Sequence, residues 1–198
     1  TSAHIHHGKC VAPETRLILT DGTVISAEQL YQKAMQIGEK VREDDNEIVY
    51  DVSHCGITVF SLNKETGKIE KKPVSHAWKL KGGNTLKITL NNGLSIATTF
   101  EHKYIIIENG KFVEREAYKL HPKNQVVCSQ GHITIFGGKE SKSAPLELQI
   151  EINNGSTSLL QKRACQDLIT SEIISIENLF EPIVYDFSVP DYKNFIAE

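Results

Sequence analysis

The stretch LKITLNNGLSIATTFEH, residues 86–102, carries the clearest fold signal in this sequence. Two runs of alternating apolar residues, 86–90 and 94–99, lie on either side of Asn92-Gly93. Asn-Gly between such runs is the strongest short-range signal for a β-hairpin, because both residues tolerate the positive φ of a tight turn. The stretch therefore predicts two adjacent antiparallel strands.

Similar turn signals recur along the chain at short intervals, and this spacing favours an all-β domain. They are Asp21-Gly22 between 17–19 and 24–25, NKETGK between 57–62 and 69–80, and ENG between 104–107 and 112–113. One helix is predicted over SAEQLYQKAMQ at 26–36, with Ser26 as N-cap, Gln29 completing a capping box and Gly38 ending it.

The remaining stretches give weaker signals. The charged, aperiodic segment 38–54 is interpreted as a surface loop, and 171–189 as two strands joined around 178–182. The segment 129–170 is interpreted as an irregular insertion, in which 156–170 fits a second short helix. The sequence thus predicts one β-rich domain with one or two short helices.

The composition limits the classes of partner. The 198 residues carry a net charge of −3, with 39% hydrophobic and 24% charged residues, so no broad basic surface for nucleic acid or membrane is expected. The longest apolar runs, such as 104–107, are too short to cross a bilayer, and no signal-peptide pattern is visible. We expect a cytoplasmic monomer.

The cysteines are Cys10, Cys55, Cys128 and Cys165, and they include no C-x-x-C pair. This spacing disfavours a zinc knuckle and gives little support to a disulfide framework, so reduced thiols are expected. If Cys55 or Cys128 lay near Cys10, a disulfide would act as a redox switch on Cys10.

The N-terminal residues begin like one motif and continue like another. Ala3-x-x-x-x-Gly8-Lys9 approaches a phosphate-binding loop, which requires Ser or Thr next and then a helix. Cys10 follows instead, and a strand-like run at 15–19 comes after it. The sequence therefore does not form a nucleotide-binding loop by itself.

Three segments together form a more specific pattern: CVAPETRLILTDGTVISAEQL at 10–30, GLSIATTFEHKYIII at 93–107 and EPIVYDFSVPDYKNFIA at 181–197. A leading Cys, a G-x5-T-x-x-H segment and a terminal V-Y-D-x-S-V-P element, in this order, resemble the intein family and its Hint-type self-processing domain. The resemblance covers 10–198 and implies a horseshoe-like all-β Hint fold. It makes 1–9 the flank of a host protein, the N-extein.

The resemblance implies that the first chemical step takes place at the Lys9–Cys10 bond. Cys10 would attack the Lys9 carbonyl in an N-to-S acyl shift that gives a thioester, because its thiol lies one residue downstream of that carbonyl. His102 would protonate the leaving amine, and Thr99 would help to hold the bond in a distorted geometry. Without the resemblance, these two residues are typical of a core histidine and a strand threonine.

Two C-terminal residues complete the implied site. Asp186 in VYDFSV matches an acidic residue of the family that would tune the Cys10 thiol and relay a proton; otherwise it would cap a turn before Pro190. Lys193 departs from the pattern, because many inteins have His there, in H-N-F, where this chain has KNF. That His assists the final cyclisation, so this step falls to Lys193 or to another group.

The end of the sequence also departs from the family. Inteins end in Asn, usually preceded by His, whereas this sequence reads NFIAE. The resemblance therefore implies at most N-terminal cleavage, or splicing when a C-terminal intein piece supplies the missing strand. The insertion at 129–170 has no room for a homing endonuclease, which implies a mini-intein. The activity would be single-turnover autocatalysis without cofactor or metal.

The residues upstream of Cys10 indicate a host. AHIHHGK at 3–9 resembles the P-loop start of translational GTPases such as elongation factor 2. Splicing would join Lys9 to a Ser or Thr and restore the motif.

Two alternatives stay open. A hedgehog-like Hint domain would pass the same thioester to a sterol or another small nucleophile. A non-catalytic metal-binding β domain would use His4, His6 and His7 with Cys10, although no later residue follows at ligand spacing.

Overall fold

The computed structural model describes residues 10–129 and 168–197. Within them the chain forms strands and one α-helix, in the order β1 (Arg16–Ile18), β2 (Val24–Ser26), α1 (Ala27–Ile37), β3 (Glu39–Glu43), β4 (Glu47–Asp51), β5 (Thr58–Asn63), β6 (Lys68–Pro73), β7 (His76–Leu90), β8 (Ser95–Thr99), β9 (Lys103–Glu108), β10 (Lys111–Glu116), β11 (Gln125–Ser129) and β12 (Leu168–Ser188). A 3-10 turn, Ala117–Lys119, precedes β11. None of the helices in this part of the chain has the length and apolarity needed to cross a bilayer.

The hairpin predicted around Asn92-Gly93 is confirmed. β7 and β8 pair antiparallel from Thr89↔Ser95 to Thr85↔Thr99, and Gly93 has φ +87°, a conformation that disfavours other residues. The hairpins β1–β2, β5–β6 and β9–β10 also form at their predicted turns. The run predicted at 69–80 is divided, because β6 ends at Pro73 and β7 begins at His76.

Helix α1 is confirmed with its predicted ends. The Ser26 hydroxyl accepts a hydrogen bond from the Gln29 N–H, and the Gln29 side chain accepts one from the Ser26 N–H, which completes the capping box. Gly38 ends the helix by donating its N–H to Ala34 O. Leu30 is fully buried, so the apolar face of the helix anchors it on the sheets.

The prediction of a surface loop at 38–54 is wrong, because β3 and β4 form a hairpin there that extends the main sheet. The Glu47 carboxylate is buried and pairs with the Arg42 guanidinium at 2.8 Å, while Val49 is buried against β7. Charges that pair across neighbouring strands hide the apolar alternation that would identify a strand in the sequence.

The prediction of two strands within 171–189 is also wrong. β12 is one continuous strand of 21 residues that pairs with β7 from Ile173↔Leu90 to Ser188↔His76. Pro182 does not break it, because β12 pairs with β7 on both sides of the proline, at Glu181↔Gly83 and Ile183↔Lys81.

The largest sheet runs in the order β10-β9-β11-β12-β7-β4-β3, with β8 also paired to β7, and the sheets curl into a half-barrel. This all-β horseshoe with one α-helix confirms the predicted fold class. Two apolar cores lie along the β7–β12 ribbon. One contains Leu17, Leu30, Val59 and Phe187, and the other contains Ile88, Ile106, Val126 and Ile173.

Two adjacent glycines in β7 provide a test of this ribbon. A Cβ on Gly82 would lie 2.0 Å from the backbone oxygen of Glu181, whereas a Cβ on Gly83 would meet no atom within 4 Å. We expect Gly82→Ala to lower the free energy of unfolding by about 2–3 kcal/mol, since the two backbones must separate. Gly83→Ala should change it by less than about 0.5 kcal/mol. Urea denaturation measures both, and equal effects would contradict the close approach.

The structure narrows the predicted insertion. Ser129 ends β11 and pairs with Leu168 at the start of β12, so the chain leaves and returns at neighbouring positions. The strand residues Ser129 and 168–170 therefore do not belong to an irregular segment. Most of the helix predicted at 156–170 lies outside the described residues.

Candidate functional site

The segment beginning at Cys10 lies between two strands of the main sheet. The Val11 N–H donates to Tyr185 O at 2.9 Å, and the Tyr185 N–H donates back to Val11 O at 3.0 Å. On the other side, the Ala12 N–H donates to Ala97 O at 2.9 Å. β8 and β12 thus hold the backbone just downstream of Cys10 in one position.

The side chain of Cys10 is buried, with 3% of its surface exposed, and packs with Leu80, Val184 and Trp78. Leu80 pairs with Val184 across β7 and β12, so these side chains lie on one face of the ribbon. Asp186 follows two residues after Val184 and pairs with Trp78, which places it on that same face. The predicted nucleophile and the predicted acid therefore share one side of the sheet.

Thr99 contacts the residue that it was predicted to assist. Its N–H donates to Cys10 O at 3.0 Å, and its hydroxyl approaches the same oxygen at 3.5 Å. The structure thus holds the carbonyl on the downstream side of the Lys9–Cys10 bond. Lys9 itself lies outside the described residues.

His102 joins this group through a tight turn after β8. Its N–H donates to Thr99 O at 3.1 Å, while its carbonyl accepts from the Ala117 N–H at 2.7 Å. Its ring packs edge-on against Tyr104, with ring centroids 5.1 Å apart. Burial raises the pKa of Tyr104, whose hydroxyl hydrogen-bonds that of Thr98 at 3.2 Å, so the surroundings of the imidazole contain a neutral phenol.

Asp186 is 3% exposed, and its Oδ1 accepts a hydrogen bond from the Phe187 N–H at 2.8 Å. Tyr185 and Phe187 direct their backbone groups to the same edge of β12, the edge that Val11 occupies. The Asp186 carboxylate therefore binds the Phe187 N–H on the edge of β12 that Val11 occupies.

Lys193 lies in the turn that follows β12. It is exposed, its backbone is in the left-handed region with φ +54°, and its N–H donates to Val189 O at 2.9 Å. The described hydrogen bonds thus tie the C-terminal turn together at Lys193, whereas those around Cys10 connect Thr99 and His102. A role for Lys193 in the final step stays a prediction.

Asn194, in the motif KNF, secures the C-terminal segment, although the sequence gives no signal for this role. The Asn194 side chain accepts from the Leu62 N–H at 2.7 Å and the Ser61 hydroxyl at 3.0 Å, and donates to Leu62 O at 3.0 Å. Beyond it, Ala197 pairs antiparallel with Leu17. The chain at 197 therefore runs back along the segment that leads to Cys10.

The described cysteines lie in three separate apolar clusters. Cys55 packs against the first core and donates its thiol to Ile37 O at 3.2 Å, and Cys128 packs against the second core. Burial raises the pKa of Cys128 to about 11, so its thiol stays protonated. The hypothesis of a disulfide between Cys10 and Cys55 or Cys128 therefore finds no support in the structure.

Comparisons with known proteins give one family. The sequence model described as "Intein splicing domain" matches residues 18–198. Elongation factor 2 from Methanopyrus kandleri is 38% identical over 129 residues, which is 65% of this chain and 10% of the factor. A probable translation initiation factor IF-2 from Methanocaldococcus jannaschii is 33% identical over 117 residues, which is 59% of this chain and 9% of the factor. The chain thus spans about a tenth of these relatives.

Solved structures show the same fold. The crystal structure of the PabCDC21-1 intein has a TM-score of 0.71 at 23% identity. The match covers 96% of this chain and 95% of the PabCDC21-1 intein chain. The solution structure of a KlbA intein precursor from Methanococcus jannaschii has a TM-score of 0.68 at 20% identity, covering 98% and 89%.

Proposed function

Because this chain belongs to the intein splicing domain family, we propose that it breaks its own Lys9–Cys10 peptide bond by an N-to-S acyl shift, the first step of protein splicing. The observation that supports the proposal is the backbone network that joins Cys10 to Thr99 and Thr99 to His102, with Asp186 on the same sheet face as the Cys10 side chain. These residues lie up to 176 positions apart in the sequence.

The chemistry follows from the position of the thiol. The Cys10 sulfur attacks the Lys9 carbonyl through a five-membered ring; an S–C bond forms, and the C–N bond of the peptide breaks. The Cys10 nitrogen leaves as an amine and takes a proton. His102 is the group proposed to deliver that proton, since imidazole exchanges protons near neutral pH.

Hydrogen bonds hold the backbone on the downstream side of the bond, which supports the proposed shift. The Thr99 N–H binds the Cys10 carbonyl, and the paired hydrogen bonds between Val11 and Tyr185 fix the next residue. A backbone fixed on one side of the reacting bond needs little further ordering to reach the ring-closed geometry.

The proposal is tested by mass spectrometry of the intact chain. Dithiothreitol attacks a thioester, so incubation should release the peptide 1–9 and leave a chain that begins at Cys10. Hydroxylamine should release the same peptide as its hydroxamate. A chain whose mass is unchanged by either reagent would contradict the proposal.

Asp186 has two separable roles in this proposal. Asp186→Asn keeps the oxygen that accepts from the Phe187 N–H, but an amide does not relay a proton; we expect dithiothreitol-induced cleavage to slow by about 100-fold. Asp186→Ala also leaves the Phe187 N–H without its acceptor, which should cost about 1–3 kcal/mol of unfolding free energy. Cleavage rates and urea denaturation measure the two effects.

Asp191→Asn is the matched control for Asp186. Asp191 is exposed and pairs with Lys72 at 3.1 Å, so its amide variant should cleave at the unsubstituted rate. If Asp186→Asn also cleaves at that rate, Asp186 only shapes the backbone.

Later steps of splicing need groups beyond these. We propose that the Asn that these steps require approaches Cys10 along the direction set by the pairing of Ala197 with Leu17. Asn194 is not that residue, because its side chain is bound to Ser61 and Leu62.

The host protein is proposed from two observations. AHIHHGK upstream of Cys10 resembles the start of a GTPase P-loop, and the relatives include elongation factor 2 and initiation factor IF-2. We propose a translational GTPase in which splicing joins Lys9 to Ser or Thr and completes the loop.

A further inference from the structure

A groove of about 440 Å³ opens on the same sheet face as the Cys10 side chain. It lies toward the outer strands β4 and β3, and we call it the Trp78 groove. Its lining includes Val41, Val49, His76, Trp78, Ser188 and Pro190.

The groove begins where the Cys10 cluster ends. Val49 pairs with Trp78, and His76 pairs with Ser188, so these side chains lie on one face of the sheet. Trp78 belongs to both places, because it packs with Cys10 and also lines the groove. Its indole N–H donates to the Ser188 hydroxyl at 2.9 Å, which holds the ring at this boundary.

The described backbone indicates where the chain upstream of Cys10 leads. Val11 is antiparallel to β12 at Tyr185, so each residue upstream advances toward Ser188. The Phe187 N–H, the next donor on this edge of β12, already binds the Asp186 carboxylate, which favours a course for the upstream chain away from this edge. On the other face of β12, the buried side chains of Tyr185 and Phe187 fill the first core. The face that carries the groove is therefore the one available to the upstream segment.

The chemistry of the groove suits the upstream segment His4-Ile5-His6-His7-Gly8. Val49 and Trp78 offer an apolar surface for Ile5, while His76 and the Ser188 hydroxyl offer polar partners. Arg42 at the outer end is already paired with Glu47 at 2.8 Å and Asp44 at 3.3 Å. Its charge is therefore compensated, which favours binding of a segment that carries imidazoles.

We propose that the Trp78 groove binds residues 4–8 of the host flank and thereby helps to place the Lys9–Cys10 bond over the reacting groups. The proposal rests on the proposed function, because that function makes 1–9 the acyl side of the scissile bond. It makes the groove a determinant of flank specificity.

A first experiment reads groove occupancy without any cleavage. Trp78 is the single tryptophan of the sequence, so fluorescence reports on the groove directly. In the full chain carrying Cys10→Ala, residues 4–8 are replaced by a Gly/Ser segment of equal length. Acrylamide quenching should increase about twofold when the native flank is lost, because a bound segment covers the ring. Equal quenching would overturn the proposal, and a difference that depends on protein concentration would assign the groove to a second copy and overturn it too.

A second experiment tests, by the cleavage rate, whether the effect of filling the groove depends on the sequence of the flank. Val41→Trp fills the groove from an exposed position. Val24→Trp is its matched control, because Val24 is a strand valine of similar exposure that does not line the groove. With the native flank, Val41→Trp should slow dithiothreitol-induced cleavage roughly three- to tenfold, and Val24→Trp should not. With the Gly/Ser flank, Val41→Trp should have no further effect.

Strictly additive effects of groove and flank would overturn the inference while the thioester chemistry stands. Absence of cleavage in every chain, including the unsubstituted one, would instead contradict the proposed function. The quenching comparison then still decides whether the flank occupies the groove, since it needs no reaction.

Discussion

Replacing Cys10 by alanine is expected to abolish release of the 1–9 peptide by dithiothreitol. Without the sulfur no acyl acceptor lies within ring-closing distance of the Lys9 carbonyl, and a peptide bond attacked only by water is stable over any practical incubation. The rate should fall below detection, a loss of more than about 1,000-fold. Intact-mass measurement over time gives the rate directly.

The fold should survive this substitution. Cys10 is a small member of its cluster with Leu80, Val184 and Trp78, and its removal leaves only a small cavity. The hydrogen bonds that hold this segment come from its backbone and remain in the variant. The midpoint of urea denaturation should therefore change only by the effect of a small cavity. Such a result would show that the variant fails to cleave because it lacks the nucleophile and not because it unfolds.

Cys128→Ala is the matched control for Cys10→Ala. Cys128 packs against a different core, and burial raises the pKa of its thiol to about 11, so it offers little thiolate at neutral pH. This variant should cleave at the unsubstituted rate. If Cys10→Ala still released 1–9, or if Cys128→Ala abolished release, the assignment of the nucleophile would be wrong.

Replacing His102 by alanine is expected to slow the same cleavage by about 100- to 1,000-fold, the usual effect of removing a positioned proton donor. The nucleophile remains, so the thioester should still form slowly, in contrast to Cys10→Ala. His102→Gln tests the reason, because glutamine keeps polar atoms near the site but does not transfer a proton at neutral pH. Both variants should be slow to a similar degree.

His121→Ala is the matched control for His102. His121 is exposed, and its backbone makes the hydrogen bonds described for it: its N–H donates to the Asn124 side chain at 2.9 Å, and its carbonyl accepts from the Asn124 N–H at 3.1 Å. Alanine preserves both. It should cleave normally. If His102→Ala retained the full rate with an unchanged urea midpoint, His102 would be a packing partner of Tyr104 and another group would protonate the amine.

Local sequence signals predicted those elements whose hydrogen bonds close within a few residues. The capping box of Ser26 and Gln29 and the Asn92-Gly93 turn are complete within short segments, and both form as expected. The loop predicted at 38–54 failed because the hydrogen bonds of β4 are made with β7, which is distant in sequence. A charged strand becomes recognisable only beside its partner.

The residues of the site were predicted from their types and order, but not their surroundings. Cys10 and Thr99 were expected together, yet only the structure shows that the Thr99 N–H binds the Cys10 carbonyl. Trp78 and Asn194 gave no signal that sets them apart from ordinary core and turn residues. Their roles depend on neighbours contributed by other strands.

The sequence by itself determined the class of fold, the family and the identity of the proposed reacting groups, because turn chemistry and motif order are local properties of the chain. Only the tertiary structure decided that β12 is one unbroken strand, that the Asp186 carboxylate binds the Phe187 N–H, and that a groove continues from Cys10 past Trp78. These features arise from hydrogen bonds and packing between segments distant in sequence. They form only when β7 and β12 have paired and the other strands have packed against them.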